Sequence, residues 1–257
     1  MKVAQRFPWY DSPWMNRYFA AREYLAAHNP EKLKAFDAAM DKLRTRQDFE
    51  VIEIENFLDQ KDHEAAKAVI RETGRDRYEM HELKQFGRFV VHNHETFNDL
   101  QARMADRIGE LVGEEVEPCY NFLSMYWAMG VCPIHMDAPL AKWTVDICIE
   151  QTDVWPIHFS RIVPWPEPLD KISETWEEDL KNDPDLDYRS FELQPGNAII
   201  FSGSSQFHYR DRITGAVPGK DAFCNLVFLH YVPKGTAAYV DPKDWAEYFG
   251  VPELVFE

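Results

Sequence analysis

Residues 121–137 read NFLSMYWAMGVCPIHMD, in which a strand-like apolar run is followed by Gly130 and then by the triplet His135-Met136-Asp137. In an extended segment, residues i and i+2 point to the same side, so His135 and Asp137 can bind one ion together. A further histidine, His208, follows much later in another strand-like segment. Two imidazoles and one carboxylate can occupy one triangular face of an octahedral metal, and that arrangement suits non-haem Fe(II). The pattern predicts an iron site formed by these three side chains.

A second stretch, residues 193–201, reads LQPGNAIIF and combines a turn at Pro195-Gly196 with a buried strand that comes shortly before His208. From residue 116 onward, short apolar or alternating segments recur between Pro, Gly and Asp residues. Many short strands separated by turn residues favour a β-sandwich or barrel over a parallel α/β sheet. A closed barrel can bring the two stretches together across its interior. The predicted strands are residues 116–127, 142–150, 154–160, 197–202, 207–213 and 223–232.

The first part of the chain has helical periodicity instead. Asn29 can cap a helix that starts at Pro30, and apolar residues recur at spacings of three and four from Leu33 to Leu43. Further strands and helices are predicted at residues 49–55, 62–72, 87–91 and 96–113. We therefore expect a mainly β fold with N-terminal helices (α+β), in the form of a distorted double-stranded β-helix, which is a cupin-like jelly roll.

This organisation predicts helical segments and supporting strands over residues 1–115, a catalytic barrel over 116–235 and a tail over 236–257. Residues 167–187 carry nine acidic side chains against two lysines and are expected to form an insertion in the barrel. A charge run of this kind is typical of a solvated loop, and a lid over the site is the sharper alternative.

The amino-acid composition of the chain limits the classes of molecule that it is expected to bind. The chain has 257 residues, a formal net charge of -16 and a pI near 5.0, so its surface should repel nucleic acid and anionic lipids. The four cysteines form no CxxC pair, and no apolar run approaches the roughly 20 residues needed to cross a bilayer. We expect a soluble cytoplasmic protein with reduced thiols, which does not bind membranes and is able to form a homodimer.

The order of these parts resembles the Fe(II)- and 2-oxoglutarate-dependent oxygenases, especially their prolyl-4-hydroxylase-like branch. That family has a Tyr-bearing strand, a glycine turn, an H-x-D triplet, an apolar strand, a PGD-like turn, a second apolar strand and a second histidine. This chain has the corresponding parts in the same order: Tyr126, Gly130, His135-Met136-Asp137, residues 143–149, Pro195-Gly196-Asn197, residues 199–201 and His208. The resemblance makes His135, Asp137 and His208 the ligands of Fe(II). It implies that O2 and 2-oxoglutarate are consumed in hydroxylating an unactivated C–H bond.

In the same family a basic residue after the second histidine binds the distal carboxylate of 2-oxoglutarate. Arg210 is favoured because it shares strand parity with His208 and because a guanidinium fits a carboxylate with two hydrogen bonds. Lys220 is the second candidate, and Arg212 extends the same parity. Tyr126 is the expected hydroxyl donor to that carboxylate.

The sequence also offers three candidate residues for binding the substrate. Arg88 can reach the pocket from its strand, and Trp143 and Trp155 can form an aromatic wall. The expected substrate is a small molecule or an amino-acid side chain. Two other functions stay open: a cupin-like metal-dependent oxygenase or isomerase that does not use 2-oxoglutarate, and a non-catalytic barrel that binds a partner.

Overall fold

The computed structural model describes residues 1–214 and 221–256. Seven helices are present in these ranges: α1 (Pro13–His28), α2 (Pro30–Asp41), α3 (Gln60–Glu72), α4 (Leu83–Phe86), α5 (Glu95–Val112), α6 (Trp176–Lys181) and α7 (Trp245–Tyr248). Ten strands accompany them: β1 (Ile52–Ile54), β2 (Arg88–His92), β3 (Val116–Tyr126), β4 (Cys132–His135), β5 (Trp143–Gln151), β6 (Ile157–Phe159), β7 (Arg189–Phe191), β8 (Ala198–Phe201), β9 (His208–Arg210) and β10 (Cys224–Pro233).

The strands form two antiparallel sheets. The larger has the order β1-β8-β5-β10-β3-β2, and the smaller has the order β4-β9-β6-β7. Side chains from one face of each sheet meet in a shared core, in which Ile157 and Phe159 of β6 contact a cluster that includes Ile199 and Leu226 of the larger sheet. The two sheets therefore face each other and enclose an interior.

Helices cover the outer face of the larger sheet. Apolar residues of α3 and α5, such as Val69 and Leu100, pack with Val145 and Val227 of the sheet. This follows from the amphipathic pattern of the helices, because one apolar stripe on each has to be buried.

The two ends of the chain pack together beside the barrel. Trp14 of α1 donates a hydrogen bond to the carbonyl of Val240 at 2.7 Å, and its ring lies edge-on to Trp245 at 5.5 Å between centroids. Phe7 and Trp9, which precede α1, are buried in the same cluster. The first residues are thus held rigidly against the fold.

The predicted helix at Pro30 is confirmed as α2, and the helix closed by Gly113 is confirmed as α5. All six strands predicted after residue 116 are present, with shorter bounds at β6 and β9. Five of these helices and strands were not predicted, namely α1, α4, α7, β4 and β7. Within the described ranges, no helix has the length and apolar character needed to span a bilayer.

Candidate metal centre

His135, Asp137 and His208 come together at one end of the interior. Their candidate ligand atoms all lie within 4.8 Å of one another. Asp137 Oδ1 is 3.3 Å from Nε2 of His135 and 3.8 Å from Nε2 of His208. This is the set that the sequence predicted, and in the part of the chain that the structure describes no other group of three metal-ligating side chains comes together.

Strand pairing explains how distant residues meet. His135 ends β4 and lies directly opposite His208 of the neighbouring strand β9. Asp137 follows β4, and its backbone N–H donates to the carbonyl of Gly203 at 2.8 Å. A Cβ at Gly203 would lie 2.2 Å from Oδ2 of Asp137, so only glycine leaves room for this carboxylate. The carboxylate is therefore fixed from the backbone side as well as by the histidines.

Backbone carbonyls set the orientation of both imidazoles. Nδ1 of His135 lies 2.8 Å from the carbonyl of Pro133, and Nδ1 of His208 lies 3.1 Å from the carbonyl of Gln206. A carbonyl can only accept, so each Nδ1 carries a hydrogen, and Nε2 is the nitrogen that each ring has available for a metal. Outer hydrogen bonds of this kind are typical of metal-binding histidines.

The electrostatic environment of these three side chains favours the binding of a cation. Burial alone would raise the pKa of Asp137, but interactions with His208 and a hydrogen bond with His135 hold it well below its ordinary value. Burial and the neighbouring His135 lower the pKa of His208 to about 4. Burial opposes protonation of His135 as well, but Cys132 and Asp137 outweigh it and raise that pKa well above its ordinary value. The site therefore combines an ionised carboxylate and a neutral His208 with a His135 whose protonated form these neighbours favour, and a metal that binds Nε2 would displace that proton.

The three ligands face a cavity of about 170 Å³ between the sheets. We call Arg210, which lines this cavity, and its two buried partners Asp146 and Trp155 the closed end. Arg210 Nη2 donates to Oδ2 of Asp146 at 2.7 Å, and Nη1 donates to the carbonyl of Trp155. The side chains of Arg210 and Asp146 are 2% and 0% exposed. A charged pair is thus held in the interior, away from water.

We call the other side the open end, which comprises Asp11, Glu82 and Arg88. Arg88 donates through Nε to Oε2 of Glu82 at 2.5 Å and through Nη1 to the hydroxyl of Tyr126 at 2.8 Å. Both members of the Arg88–Glu82 pair are 11% exposed at the side chain, and Asp11 is 39% exposed. Oδ2 of Asp11 lies 4.0 Å from Nε2 of His135. The open end thus brings two carboxylates and a guanidinium to the wall of the cavity.

Several predicted site residues line this cavity. Arg210, Tyr126 and Arg88 do so together with the three metal ligands. Arg210 and His208 share one side of β9, as their parity predicted. His230 also lines the cavity, where its ring stacks on Tyr120 with 4.0 Å between centroids.

Other predicted residues lie elsewhere. Trp143 is on the opposite face of the larger sheet, where it contacts Phe49 and donates to Glu114, so it does not line the cavity. Trp155 contacts Tyr126 and Arg210 and supports them instead of forming a wall. Arg212 is exposed and donates to the carbonyl of Met129 at 3.1 Å. Lys220 lies outside the described residues.

The acidic segment 167–187 does not form the lid that was the alternative prediction for it. None of its residues lines the cavity, and its helix α6 is partly buried through Trp176 and Leu180 against the terminal cluster. The lid interpretation is therefore not supported, and the segment is a mostly exposed acidic surface.

Sequence reasoning missed three residues that lie at this site, namely Asp11, Glu82 and Gly203. Asp11 and Glu82 reach the cavity from elements that carry no motif. The sequence does contain a signal for Gly203, since it follows the predicted strand 197–202 and precedes His208. A glycine between a buried strand and a ligand indicates a close backbone approach.

No protein-family profile and no curated protein matches this chain. Among solved structures, the non-haem α-ketoglutarate-dependent epimerase SnoN from nogalamycin biosynthesis is 13% identical, with a TM-score of 0.51 over 80% of this chain and 87% of SnoN. HygX from Streptomyces hygroscopicus, with nickel and 2-oxoglutarate bound, is 8% identical, with a TM-score of 0.52 over 72% of this chain and 83% of HygX. The α-ketoglutarate-dependent carbocyclase SnoK is 11% identical, with a TM-score of 0.52 over 75% of this chain and 83% of SnoK.

These likenesses establish the fold. The chain has the fold of the non-haem 2-oxoglutarate-dependent enzymes, so the resemblance that its sequence indicates is confirmed at the level of architecture. Its placement in the prolyl-4-hydroxylase-like branch stays a prediction.

Proposed function

We propose that this protein is an Fe(II)- and 2-oxoglutarate-dependent dioxygenase that hydroxylates an unactivated C–H bond of a small molecule or an amino-acid side chain. The observation that carries the proposal is the convergence of His135, Asp137 and His208 within 4.8 Å at the wall of a cavity. Three ligands on one side leave the remaining positions of an octahedral ion free for other molecules.

The sheet order supports a double-stranded β-helix. Strands β8, β5, β10 and β3 of the larger sheet lie opposite the four strands of the smaller one, and β1 and β2 extend the larger sheet at its edges. We interpret the facing sets of four as the barrel and the two edge strands as additions. In such a barrel the ligands lie where two neighbouring strands of the smaller sheet meet the open interior.

The donor set fits iron. Two neutral imidazole nitrogens and one carboxylate oxygen form the set that non-haem Fe(II) oxygenases use, and the Nδ1 hydrogen bonds fix both rings for binding through Nε2. When bound, Fe(II) and 2-oxoglutarate supply the activation of O2 and the oxidative decarboxylation. Because Asp137 provides a carboxylate ligand, no position is left for a halide in its place, and hydroxylation is favoured over halogenation.

Arg210 is the residue that we assign to the distal carboxylate of 2-oxoglutarate. Its guanidinium uses Nη1 and Nη2 for Trp155 and Asp146, and the other N–H groups of the five remain able to bind a carboxylate. Tyr126 accepts a hydrogen bond from Arg88, so its own hydroxyl hydrogen is free to donate. A buried guanidinium in the same cavity as the ligands favours a 2-oxoglutarate enzyme over the cupin-like alternative.

The protein's further contribution is exclusion of water. The walls near the ligands are apolar rings, including Phe201 and Phe228, and the closed end has almost no access to solvent. A dry, shaped cavity strengthens the fixed charges and limits side reactions. The type of reaction that follows depends on which substrate the cavity holds near the three ligands.

The test is an anaerobic titration with Fe(II) and 2-oxoglutarate, which should produce the visible metal-to-ligand charge-transfer absorption of the chelate. Asp137→Ala should remove both the absorption and the formation of succinate, because the site loses its only anionic ligand. His158→Ala is the matched control, since that ring lies outside the cavity and contacts Ser190. Wild-type protein that binds neither Fe(II) nor 2-oxoglutarate would refute the proposal.

A further inference from the structure

Two polar groups on the cavity wall have no hydrogen-bond partner among the residues that the structure describes. One is the hydroxyl of Tyr120 on β3, and the other is Nε2 of His230 on β10. Other polar side chains on the same wall are engaged, since Thr144 donates to a backbone carbonyl at 3.2 Å and Nδ1 of His92 lies 2.9 Å from Glu79. The two groups without partners are therefore available to a bound molecule.

Strand pairing places these two groups side by side. Tyr120 lies directly opposite His230, and the two rings stack with 4.0 Å between centroids and 7° between planes. Nδ1 of His230 lies 3.3 Å from the carbonyl of Tyr120, which can only accept, so Nδ1 carries the hydrogen and Nε2 holds a lone pair. Burial lowers the pKa of His230 to about 4, so the ring is neutral at neutral pH. The wall therefore offers a hydrogen-bond acceptor that the stack holds in place.

The hydroxyl of Tyr120 supplies a donor next to this acceptor. Burial and the carboxylates of Asp137 and Asp11 raise the pKa of Tyr120 well above its ordinary value, so the phenol keeps its hydrogen. Both rings are within electrostatic reach of Asp137, since His230 is one of the groups that lower the pKa of that carboxyl. A donor and an acceptor thus lie together beside the proposed metal ligands.

This Tyr120–His230 pair is separate from the residues that we assign to the distal carboxylate of 2-oxoglutarate. Tyr126 is six residues farther along β3 than Tyr120, a separation of about 20 Å at about 3.4 Å per residue. Arg88 donates to the hydroxyl of Tyr126, and Arg210 interacts with the same side chain electrostatically. The pair can therefore bind a second molecule while 2-oxoglutarate is present.

We propose that Tyr120 and His230 orient the substrate by binding a neutral group that both donates and accepts a hydrogen bond, such as a hydroxyl or a primary carboxamide. The group donates to Nε2 of His230 and accepts from the hydroxyl of Tyr120. A carboxylate has no hydrogen to donate, and an ammonium group has no lone pair with which to accept. A divalent metal nearby further disfavours an ammonium group. This inference rests on the proposed function, since it names the substrate class of the same site.

The experiment uses full-length protein loaded with Zn(II) and 2-oxoglutarate, which does not turn over because Zn(II) has no redox chemistry. Four probes with the same four-carbon chain are titrated, namely butanol, butyramide, butyrate and butylamine. Dissociation constants come from the broadening of the NMR signals of each probe. The proposal expects the tighter neutral probe to bind at least about tenfold more tightly than either charged probe, because only a neutral group satisfies both members of the pair.

Variants assign the contacts. Tyr120→Phe removes only the hydroxyl and should weaken the tighter neutral probe by about five- to tenfold. His230→Phe keeps a stacked ring but loses Nε2, with an expected loss of about tenfold, whereas His230→Gln keeps an acceptor and should retain part of the affinity. Tyr209→Phe is the matched control, because Tyr209 stacks on His158 with 4.5 Å between centroids and lies outside the cavity. If His230→Phe does not fold, the comparison of Tyr120→Phe with Tyr209→Phe decides alone.

The inference is overturned if neither neutral probe binds more tightly than butyrate and butylamine, which includes the case in which no probe binds. It is also overturned if Tyr120→Phe and Tyr209→Phe change the affinity of the neutral probe equally. Binding of Fe(II) and 2-oxoglutarate is measured separately by the charge-transfer absorption. A protein that shows that absorption but does not prefer the neutral probes retains the proposed function and loses only this inference.

Discussion

The two ends of the cavity each hold an arginine paired with a carboxylate, yet they differ in their access to water. At the closed end the Arg210 and Asp146 side chains are 2% and 0% exposed, and at the open end Arg88 and Glu82 are each 11% exposed with Asp11 beside them at 39%. The Arg210–Asp146 pair is therefore shielded from water, whereas the Arg88–Glu82 pair lies in the same cavity as a carboxylate that water reaches. The same type of ion pair thus occurs in two environments that burial distinguishes.

The largest expected difference between the two ends is in how much each arginine contributes to the free energy of unfolding. Arg210→Gln leaves the Asp146 carboxylate buried without its partner, which should lower the free energy of unfolding by about 3–5 kcal/mol. Arg88→Gln should cost about 1–3 kcal/mol, because water can reach Glu82. Urea unfolding of the metal-free proteins measures both. The double variant Arg210→Gln/Asp146→Asn should recover much of the loss, and equal costs at the two ends would contradict the distinction.

The pH dependence of stability tests how dry the cavity is between its ends. Burial lowers the pKa of His230 to about 4, against 6.5 for an unperturbed imidazole. Between these values the unfolded chain takes up a proton that the folded protein resists, so stability falls as pH drops from about 6.5 to about 4, by about 3 kcal/mol for this residue. His230→Phe should reduce that fall in urea titrations at several pH values. An equally large fall in the variant would contradict this contribution of His230.

The position of Asp137, one of the three proposed metal ligands, depends on a glycine. In Gly203→Ala the new Cβ would meet Oδ2 of Asp137 at 2.2 Å and the carbonyl of Ala141 at 2.6 Å. Displacing the ligand should weaken Ni(II) binding by about 10–100-fold, as measured by calorimetry. Gly74→Ala is the control, because its nearest contact is the flexible side chain of Asp76. Unchanged affinity would show that Asp137 does not require this close approach.

The smallest expected effect concerns Tyr126, which lines the cavity and accepts from Arg88. Tyr126→Phe removes one hydrogen bond and should weaken 2-oxoglutarate by about fivefold, equivalent to about 1 kcal/mol. Equilibrium titration followed by the charge-transfer absorption gives the constant. In parallel, Arg210→Lys should weaken 2-oxoglutarate more than Arg88→Lys does. The reverse order would exchange the roles of the two ends.

Much of the site could be predicted because its key spacing is local. His135 and Asp137 are two residues apart at the end of a strand, and the side-chain period of a strand places them on one side. The longer strands β3, β5 and β10 were found from their apolar runs. The strand β7 was not, since the three residues Arg189–Phe191, which come just after the acidic segment 167–187, are too few to show a period.

Other features depended on contacts that the sequence does not express. Trp143 begins a strand that is buried on both faces, so alternation alone could not tell which face meets the cavity. The structure places Thr144 toward the cavity and Trp143 outward. Asp11 reaches the metal ligands only because the segment before α1 folds back over the barrel, and nothing local marks that path.

The position of Asp11 has a consequence for how the cavity wall can be altered. The metal ligands and Arg210 belong to the barrel, whereas this carboxylate is carried by a short leading segment that docks through Trp9 and Tyr10. Part of the cavity wall is thus contributed by a segment outside the strands β4 and β9 that carry the histidines. Substitutions in residues 7–12 can therefore change the wall beside His135 without altering the pairing of those two strands.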